Sequence, residues 1–256
     1  MKVLIFKKRS VLWAIVLAAL LVGSSIGVYF ANAAVVWNGN STRSTPIHSV
    51  EVQANAVALS FDANWGAERT LEILEVLESN NISATFFVTG EWVERHSEIA
   101  QKLNQSGRVE FGSLSNTHAH LTRLNARQIE LEISTSALNL EKVVGTKPTL
   151  FRAPYGEFSD SVLQVAANLS MQTIQWSVDA LDWQSIPSYD IASRISAQSE
   201  RGSIIRMQND GRNTVAALQA SIVALQTRNL TIGTVGNLIY TENYIINSAG
   251  RQIRNT

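Results

Sequence analysis

The chain has 256 residues, of which 45% are hydrophobic, and this size suits one packed domain with appended segments. Its formal net charge is zero and its sequence pI is about 6.9, so it lacks the basic balance typical of nucleic-acid-binding proteins. The absence of cysteine excludes disulfides and zinc–thiolate sites. The sequence has no glycine-rich phosphate loop, which disfavours a nucleotide partner.

The first 34 residues are predicted to be a separate segment. Basic residues precede an apolar stretch at 11–30, which is long enough to span a bilayer as a helix. The positive flank predicts an N-terminus in the cytoplasm and an exported domain held at the cytoplasmic membrane. Residues 31–33 resemble a signal-peptidase site, so secretion after cleavage near Ala33 is also open. We favour the anchor, because the apolar stretch exceeds the roughly 7 to 15 residues of a signal-peptide core.

Residues 35–54 contain many Asn, Ser and Thr and are predicted to be a linker, and residues 55–256 are predicted to be the folded domain. Within the domain, short apolar runs alternate with amphipathic helical patterns. The predicted strands are at 57–61, 84–88, 109–112, 149–152, 173–178, 203–207 and 230–235. Strands that alternate with helices predict a parallel sheet, either open or closed into a barrel.

The clearest helix is predicted between Asn125, which suits a helix N-terminus, and Gly145, which suits a C-terminal end. Ser159 and Asn213 are predicted to cap two later helices. These signals support the strand and helix alternation, because they locate where helices begin and end between the predicted strands.

Polar side chains follow five of the predicted strands. They are Asp62 and the segments 113–120, 152–156, 179–183 and 208–210. Because the carboxyl ends of parallel strands meet at one edge of a sheet, we expect these side chains to converge on one cleft. Asp62 taken alone could equally cap the helix that follows it.

With these motifs, the chain resembles the polysaccharide deacetylases that contain the NodB homology domain, and among them the sporulation-associated PdaB-like branch. Five motifs match in order, and the resemblance runs from about Ala54 to the C-terminus. It implies a distorted (β/α) barrel of about seven parallel strands. It also implies a hydrolase that uses a metal to remove N-acetyl groups from amino sugars, with cell-wall glycan such as peptidoglycan as its partner.

The resemblance also implies roles for individual residues. Asp62 matches the general base, Arg152 matches the group that orients this base, and Asp179 matches a further catalytic carboxylate. His118 matches one of the two histidine ligands of the metal. The residues expected to contact the substrate are Tyr155, Asp182, Trp183 and His120.

Three positions depart from the family pattern. Ala63 replaces an aspartate metal ligand, Leu114 replaces the first histidine ligand, and Gln208 replaces the general-acid histidine. His118 is then one ligand where catalytic zinc normally has three protein ligands. We therefore expect no metal at the standard site, a catalytically impaired pseudoenzyme, and a structural ion pair for Arg152 with Asp62 or Asp179.

Two alternatives are open. His118 and His120 could hold zinc or another divalent metal in a rearranged site, with an oxygen from Asn64 or Asn116, and the chain would then be an active C–N hydrolase. The chain could also have a glycan-binding or structural role in assembly of the spore envelope.

Overall fold

The structure is a computed structural model and describes residues 45–255. Within this range, no helix has the length and the apolar character needed to cross a membrane. The predicted anchor at 1–34 and the first half of the predicted linker lie outside the described residues.

A curled parallel sheet forms the centre of the domain. Its strands are β2 (Ala56–Ala63), β3 (Ala84–Val88), β4 (Val109–Ser113), β5 (Leu150–Phe151), β6 (Gln172–Thr173), β7 (Val178–Asp179), β8 (Ile204–Gln208) and β9 (Thr231–Gly233). Seven of them follow the order β6-β5-β4-β3-β2-β8-β7, and β9 pairs with the first part of β2. The result is a half-barrel, which confirms the predicted (β/α) fold of about seven parallel strands.

Helices lie between the strands and cover the sheet. They are α1 (Thr70–Ser79), α2 (Gly90–Arg95), α3 (Ser97–Gln105), α4 (Ala126–Val144), α5 (Asp160–Asn168), α6 (Ser188–Gln198), α7 (Thr214–Thr227) and α8 (Val235–Leu238). The largest apolar cluster lies between the central strands and helices α1, α3 and α7, where it includes Phe61, Leu77, Leu103 and Leu218. This core fixes the strands whose carboxyl ends carry the polar side chains.

The predicted helix caps are confirmed in two of three cases. Asn125 and Gln128 form a reciprocal capping box at the start of α4, and Gly145 ends that helix with a left-handed φ of 77°. Ser159 accepts a hydrogen bond from the backbone of α5. The prediction for Asn213 is wrong, because its side chain donates 2.8 Å to the carbonyl of Ile186 in a neighbouring loop.

A second, small sheet joins the two ends of the described chain. It consists of β1 (Ser49–Val50), β10 (Tyr244–Ile246) and β11 (Arg251–Arg254), with β1 parallel to β11. Ile47 and Val50 are buried in an apolar cluster. Part of the predicted linker is therefore packed into the domain.

The predicted strand at 173–178 is wrong. The chain forms β6 and β7 at opposite edges of the sheet, with four residues between them that belong to neither strand. Ile47 forms a bridge with Ile174 there, and the Gln175 N–H donates 2.7 Å to the Ile47 carbonyl. This segment therefore pairs with the early part of the chain, which local sequence patterns do not reveal.

Candidate functional site

Asp62 lies at the carboxyl end of β2, opposite Phe87 on β3 and Gln208 on β8. It is 3% exposed, and each of its carboxylate oxygens binds one arginine. Oδ1 accepts 2.7 Å from Arg152 Nη1, and Oδ2 accepts 2.8 Å from Arg206 Nε. Burial by itself would raise the pKa of Asp62, but the two guanidinium groups outweigh it and lower that pKa below its usual value. The carboxylate is therefore ionised and paired on both oxygens.

Arg152 follows β5 directly and is completely buried. Besides Asp62 it binds Ser60, whose Oγ accepts 2.9 Å from Nη2, and its guanidinium carbon lies 3.9 Å from the centre of the Phe87 ring. Burial lowers the pKa of Arg152, and the negative charge of Asp62 opposes this change. Of the two partners considered from the sequence, Arg152 binds Asp62, so its contacts are those of an internal ion pair.

Arg206 on β8 is a site residue that the sequence analysis missed. Its Nε binds Asp62, and its Nη1 donates 3.2 Å to Asp179 Oδ2. Its guanidinium carbon lies 4.2 Å from the centre of the Trp176 ring. With its amide oriented to suit its neighbours, Gln208 accepts 2.8 Å from Arg206 Nη2. One signal could have revealed it, because a charged residue inside an otherwise apolar predicted strand needs a buried partner.

The two changed positions that carry metal ligands in the family pattern bring no metal-binding side-chain atoms to the site. Ala63 is completely buried, and Leu114 packs into an apolar cluster with Phe87. Across residues 45–255, no group of three or more His, Cys, Asp and Glu side chains is placed so that it could hold a metal ion. Since catalytic zinc normally has three protein ligands, the donor set around His118 does not fit the metal that the family implies.

His118 and His120 both pack against Tyr155. The ring centres of His118 and Tyr155 are 4.5 Å apart in an edge-on arrangement, and those of His120 and Tyr155 are 4.1 Å apart and stacked. His120 Nδ1 also lies 2.9 Å from Glu157 Oε2, and this contact lowers the pKa of Glu157. The Asn64 amide nitrogen lies 3.5 Å from both ring nitrogens of His118. The two imidazoles thus contact a phenol ring, a carboxylate and an amide.

Exposed aromatic side chains lie next to this histidine pair. The ring centre of Trp65 is 6.2 Å from that of His118, so Trp65, His118, Tyr155 and His120 form one continuous aromatic row. Trp65 is 61% exposed and Tyr155 is 48% exposed. Tyr155 has a left-handed φ of 59°, a conformation that costs a non-glycine residue about 1 to 3 kcal/mol. The turn that follows β5 thus holds the Tyr155 ring in the row.

Asp179 is the last residue of β7, Asp182 lies just after that strand, and the two have different surroundings. Asp179 binds Arg206 and accepts 3.1 Å from the backbone N–H of Leu181. Asp182 Oδ2 accepts 2.9 Å from the Gln208 N–H and 2.5 Å from Thr214 Oγ1, whereas its Oδ1 has no partner within the described part of the chain. Burial raises the pKa of Asp182 to about 6.

The contacts of Asp182 bear on its predicted role. The hydrogen bonds of Asp182 join β8 to the start of α7. Because Asp182 is only 1% exposed, it does not line an open surface where it could make the contact with the substrate that we expected. The neighbouring Trp183 is 55% exposed, and its predicted contact with the substrate stays a prediction.

Comparison with known proteins gives the family of the chain. The family model for polysaccharide deacetylases matches residues 49–174. A peptidoglycan-N-acetylglucosamine deacetylase from Bacillus cereus is 30% identical over 189 residues, which cover 72% of this chain and 68% of that protein. The chain belongs to the polysaccharide deacetylase family. The protein YlxY from Bacillus subtilis is 29% identical over 199 residues, which cover 78% of this chain and 62% of YlxY.

Solved structures of polysaccharide deacetylase relatives share the fold. A pseudoenzyme of carbohydrate esterase family 4 from Bacillus anthracis superposes with a TM-score of 0.74 at 27% identity, covering 77% of this chain and 69% of the other. A mutant of that pseudoenzyme with restored enzymatic activity superposes with a TM-score of 0.74 at 28% identity, covering 77% of this chain and 72% of the mutant chain. The family and the barrel expected from the five motifs are thereby confirmed.

Proposed function

We propose that this protein is a non-catalytic polysaccharide deacetylase that binds amino-sugar glycan of the cell wall. The observation that carries the proposal is the composition of the cleft. Asp62 and Arg152 keep their places at the strand ends, whereas Ala63, Leu114 and Gln208 supply neither the metal ligands nor the general acid. The family's fold, together with Asp62 and Arg152 but without these other side chains, supports a protein that binds glycan and does not deacetylate it.

The loss affects each chemical step of deacetylation. The metal would polarise the amide carbonyl and activate water, and no three-ligand set is present in residues 45–255 to hold it. Gln208 does not titrate near neutral pH, and loss of a general acid typically lowers a rate by about 10² to 10⁴. Both oxygens of Asp62 are bound by arginine, so this carboxylate has a reduced capacity to accept a proton. These losses act together on one reaction.

The aromatic row supports glycan binding. Aromatic rings bury the apolar faces of sugar rings by stacking, and Trp65 and Tyr155 expose about half of their surface at the strand ends. His120 and Glu157 add polar groups that can bind sugar hydroxyls next to the same rings. Relatives are peptidoglycan deacetylases by name, which favours N-acetylated cell-wall sugar as the ligand.

We further propose that the domain acts outside the cytoplasmic membrane. The support is the sequence pattern of residues 1–34, with its basic flank and long apolar stretch. A role in the spore envelope remains a prediction from the resemblance to the sporulation-associated branch. Cleavage near Ala33 would give a secreted protein instead of an anchored one.

The proposal is tested by glycan binding and acetate release on the same full-length protein. Titration with a soluble oligomer of N-acetylglucosamine, followed by tryptophan fluorescence, should show saturable binding. Added zinc should produce no acetate above the level of a protein-free control. Trp65→Ala should weaken binding about tenfold, equivalent to about 1.4 kcal/mol.

The matched control is Leu138→Ala, because Leu138 is a large apolar residue on α4 that is 64% exposed. It should bind the oligomer as the wild type does. Acetate release by the wild type, or equal affinity of the Trp65→Ala and wild-type proteins, would refute the proposal.

A further inference from the structure

Arg206 contacts three positions at which the family places its chemistry. Its Nε binds the base carboxylate of Asp62, and its Nη1 binds Asp179. Its Nη2 donates to the Gln208 amide oxygen at the general-acid position. The side chain is only 16% exposed, and the guanidinium lies over the Trp176 ring. Each guanidinium nitrogen therefore has a partner within the cleft, and the group is fixed in place.

The formal charges of this cluster cancel. Asp62 and Asp179 each carry a negative charge, and Arg152 and Arg206 each carry a positive charge. With Arg152 alone, the cluster would keep a net negative charge in a largely buried place, which is unfavourable unless a cation is bound. Arg206 supplies that cation from the protein itself.

We infer that Arg206 replaces a divalent metal in the charge balance of this cleft and excludes such a metal independently of the missing ligands. The inference rests on the proposed function. Positions 63 and 208 both adjoin Asp62, one along the chain and the other across the β2–β8 ladder. A metal held by an aspartate at position 63 would therefore lie near the fixed guanidinium that binds Asp62, and the two positive charges would repel each other.

The same contact limits the general-acid position. A histidine at 208 acts as an acid only when its imidazole is cationic, and a cationic ring there would face Arg206 Nη2. Like charges at this distance favour the neutral imidazole, whose remaining N–H is far too weakly acidic to protonate a leaving amine. Gln208 suits this place because its carbonyl oxygen is an uncharged acceptor. Arg206 and Gln208 therefore act as a matched pair.

The consequence is that restoring the three family residues does not restore the metal site. The test compares two full-length variants. The triple variant carries Ala63→Asp, Leu114→His and Gln208→His, and the quadruple variant adds Arg206→Leu. Zinc affinity is measured by competition with a chromogenic chelator. The quadruple variant should bind zinc at least about 100-fold more tightly than the triple variant.

Two further variants separate charge from size and guard against misfolding. The triple variant with Arg206→Lys keeps the positive charge and should bind zinc as weakly as the triple variant itself. The triple variant with Arg206→Gln removes the charge while keeping a polar side chain, and it replaces the leucine variant if that protein lacks cooperative thermal unfolding. Equal zinc affinity with and without the charge at position 206 would overturn the inference.

Failure of this test can be told apart from failure of the proposed function, because glycan binding and acetate release are measured on the wild type. A wild type that fails to bind glycan would leave the zinc comparison intact. Conversely, equal zinc affinities would leave glycan binding by the wild type unaffected.

Discussion

Replacement of Asp182 by asparagine should change how the stability of the protein depends on pH. Burial raises the pKa of Asp182 from 3.8 to about 6, so folding favours the protonated form of this carboxyl. The stability that it contributes is fully present below the unfolded pKa, and it is lost as the pH rises through the folded pKa. The carboxyl of Asp182 therefore works against the folded state above about pH 6.

The magnitude follows from the shift. The increase in the pKa of Asp182 from 3.8 to about 6 lowers the free energy of unfolding by roughly 3 kcal/mol in total between strongly acidic and neutral pH. Asparagine keeps a side-chain oxygen that can accept from the Gln208 N–H and from Thr214, and it does not titrate. Because part of this change lies below pH 4, the free energy of unfolding of the wild type minus that of Asp182→Asn should fall by roughly 2.5 kcal/mol between pH 4 and pH 7.

Urea unfolding followed by circular dichroism, at several pH values, measures this difference. The asparagine amide adds a constant cost because its NH₂ group occupies the place of the partnerless Oδ1, so only the change with pH is informative. Asp190→Asn on α6 serves as the surface-carboxylate control. A difference that stays constant within about 1 kcal/mol, or that rises with pH, would refute the reasoning.

Three further predictions concern single side chains. Arg152→Met should lower the free energy of unfolding by about 3 kcal/mol, because it removes one partner of a buried ion pair, and an unchanged urea midpoint would contradict this. The free energy of unfolding of the wild type minus that of Asp62→Asn should decrease as the pH falls below 3.8, because the lowered pKa of Asp62 gives stability that is present above that pH and lost in acid. Acid unfolding of both proteins, followed by fluorescence, checks the sign. Asn125→Ala should cost about 1 kcal/mol by removing the capping box of α4, whereas Asn125→Asp should cost less; thermal unfolding compares the two.

The parts of the fold that the sequence predicted well depend on neighbouring residues. The box formed by Asn125 and Gln128 spans a single turn, so its signal is contained in four consecutive residues. β3 has its predicted bounds because a strand that is buried on both faces is a continuous apolar run, which can be recognised without knowing its neighbouring strands. Asn213 shows the limit of such signals, because its side-chain amide donates to a loop carbonyl 27 positions away and does not cap the helix that follows it.

The features that the sequence did not predict depend on distant parts of the chain. Arg206 binds Asp62 across 144 positions, so its role becomes visible only when β8 pairs with β2. The family motifs located Asp62 and Arg152 because each motif specifies the residue type at those positions and needs no knowledge of which strands pair. They did not identify Arg206, which lies at a position that the motifs do not use.

The pairing of β1 with β11 links the fold to the order in which the chain is made. Ser49 pairs with Arg251, about 200 residues later, and Val50 pairs with Gln252. A ribosome therefore completes nearly the whole domain before β1 can find its partner strand. Until then, the strand carries an unpaired edge beside the apolar side chains of Ile47 and Val50, and such edges invite association between chains. Pairing with β11 thus ends the period in which β1 is open to association with other molecules.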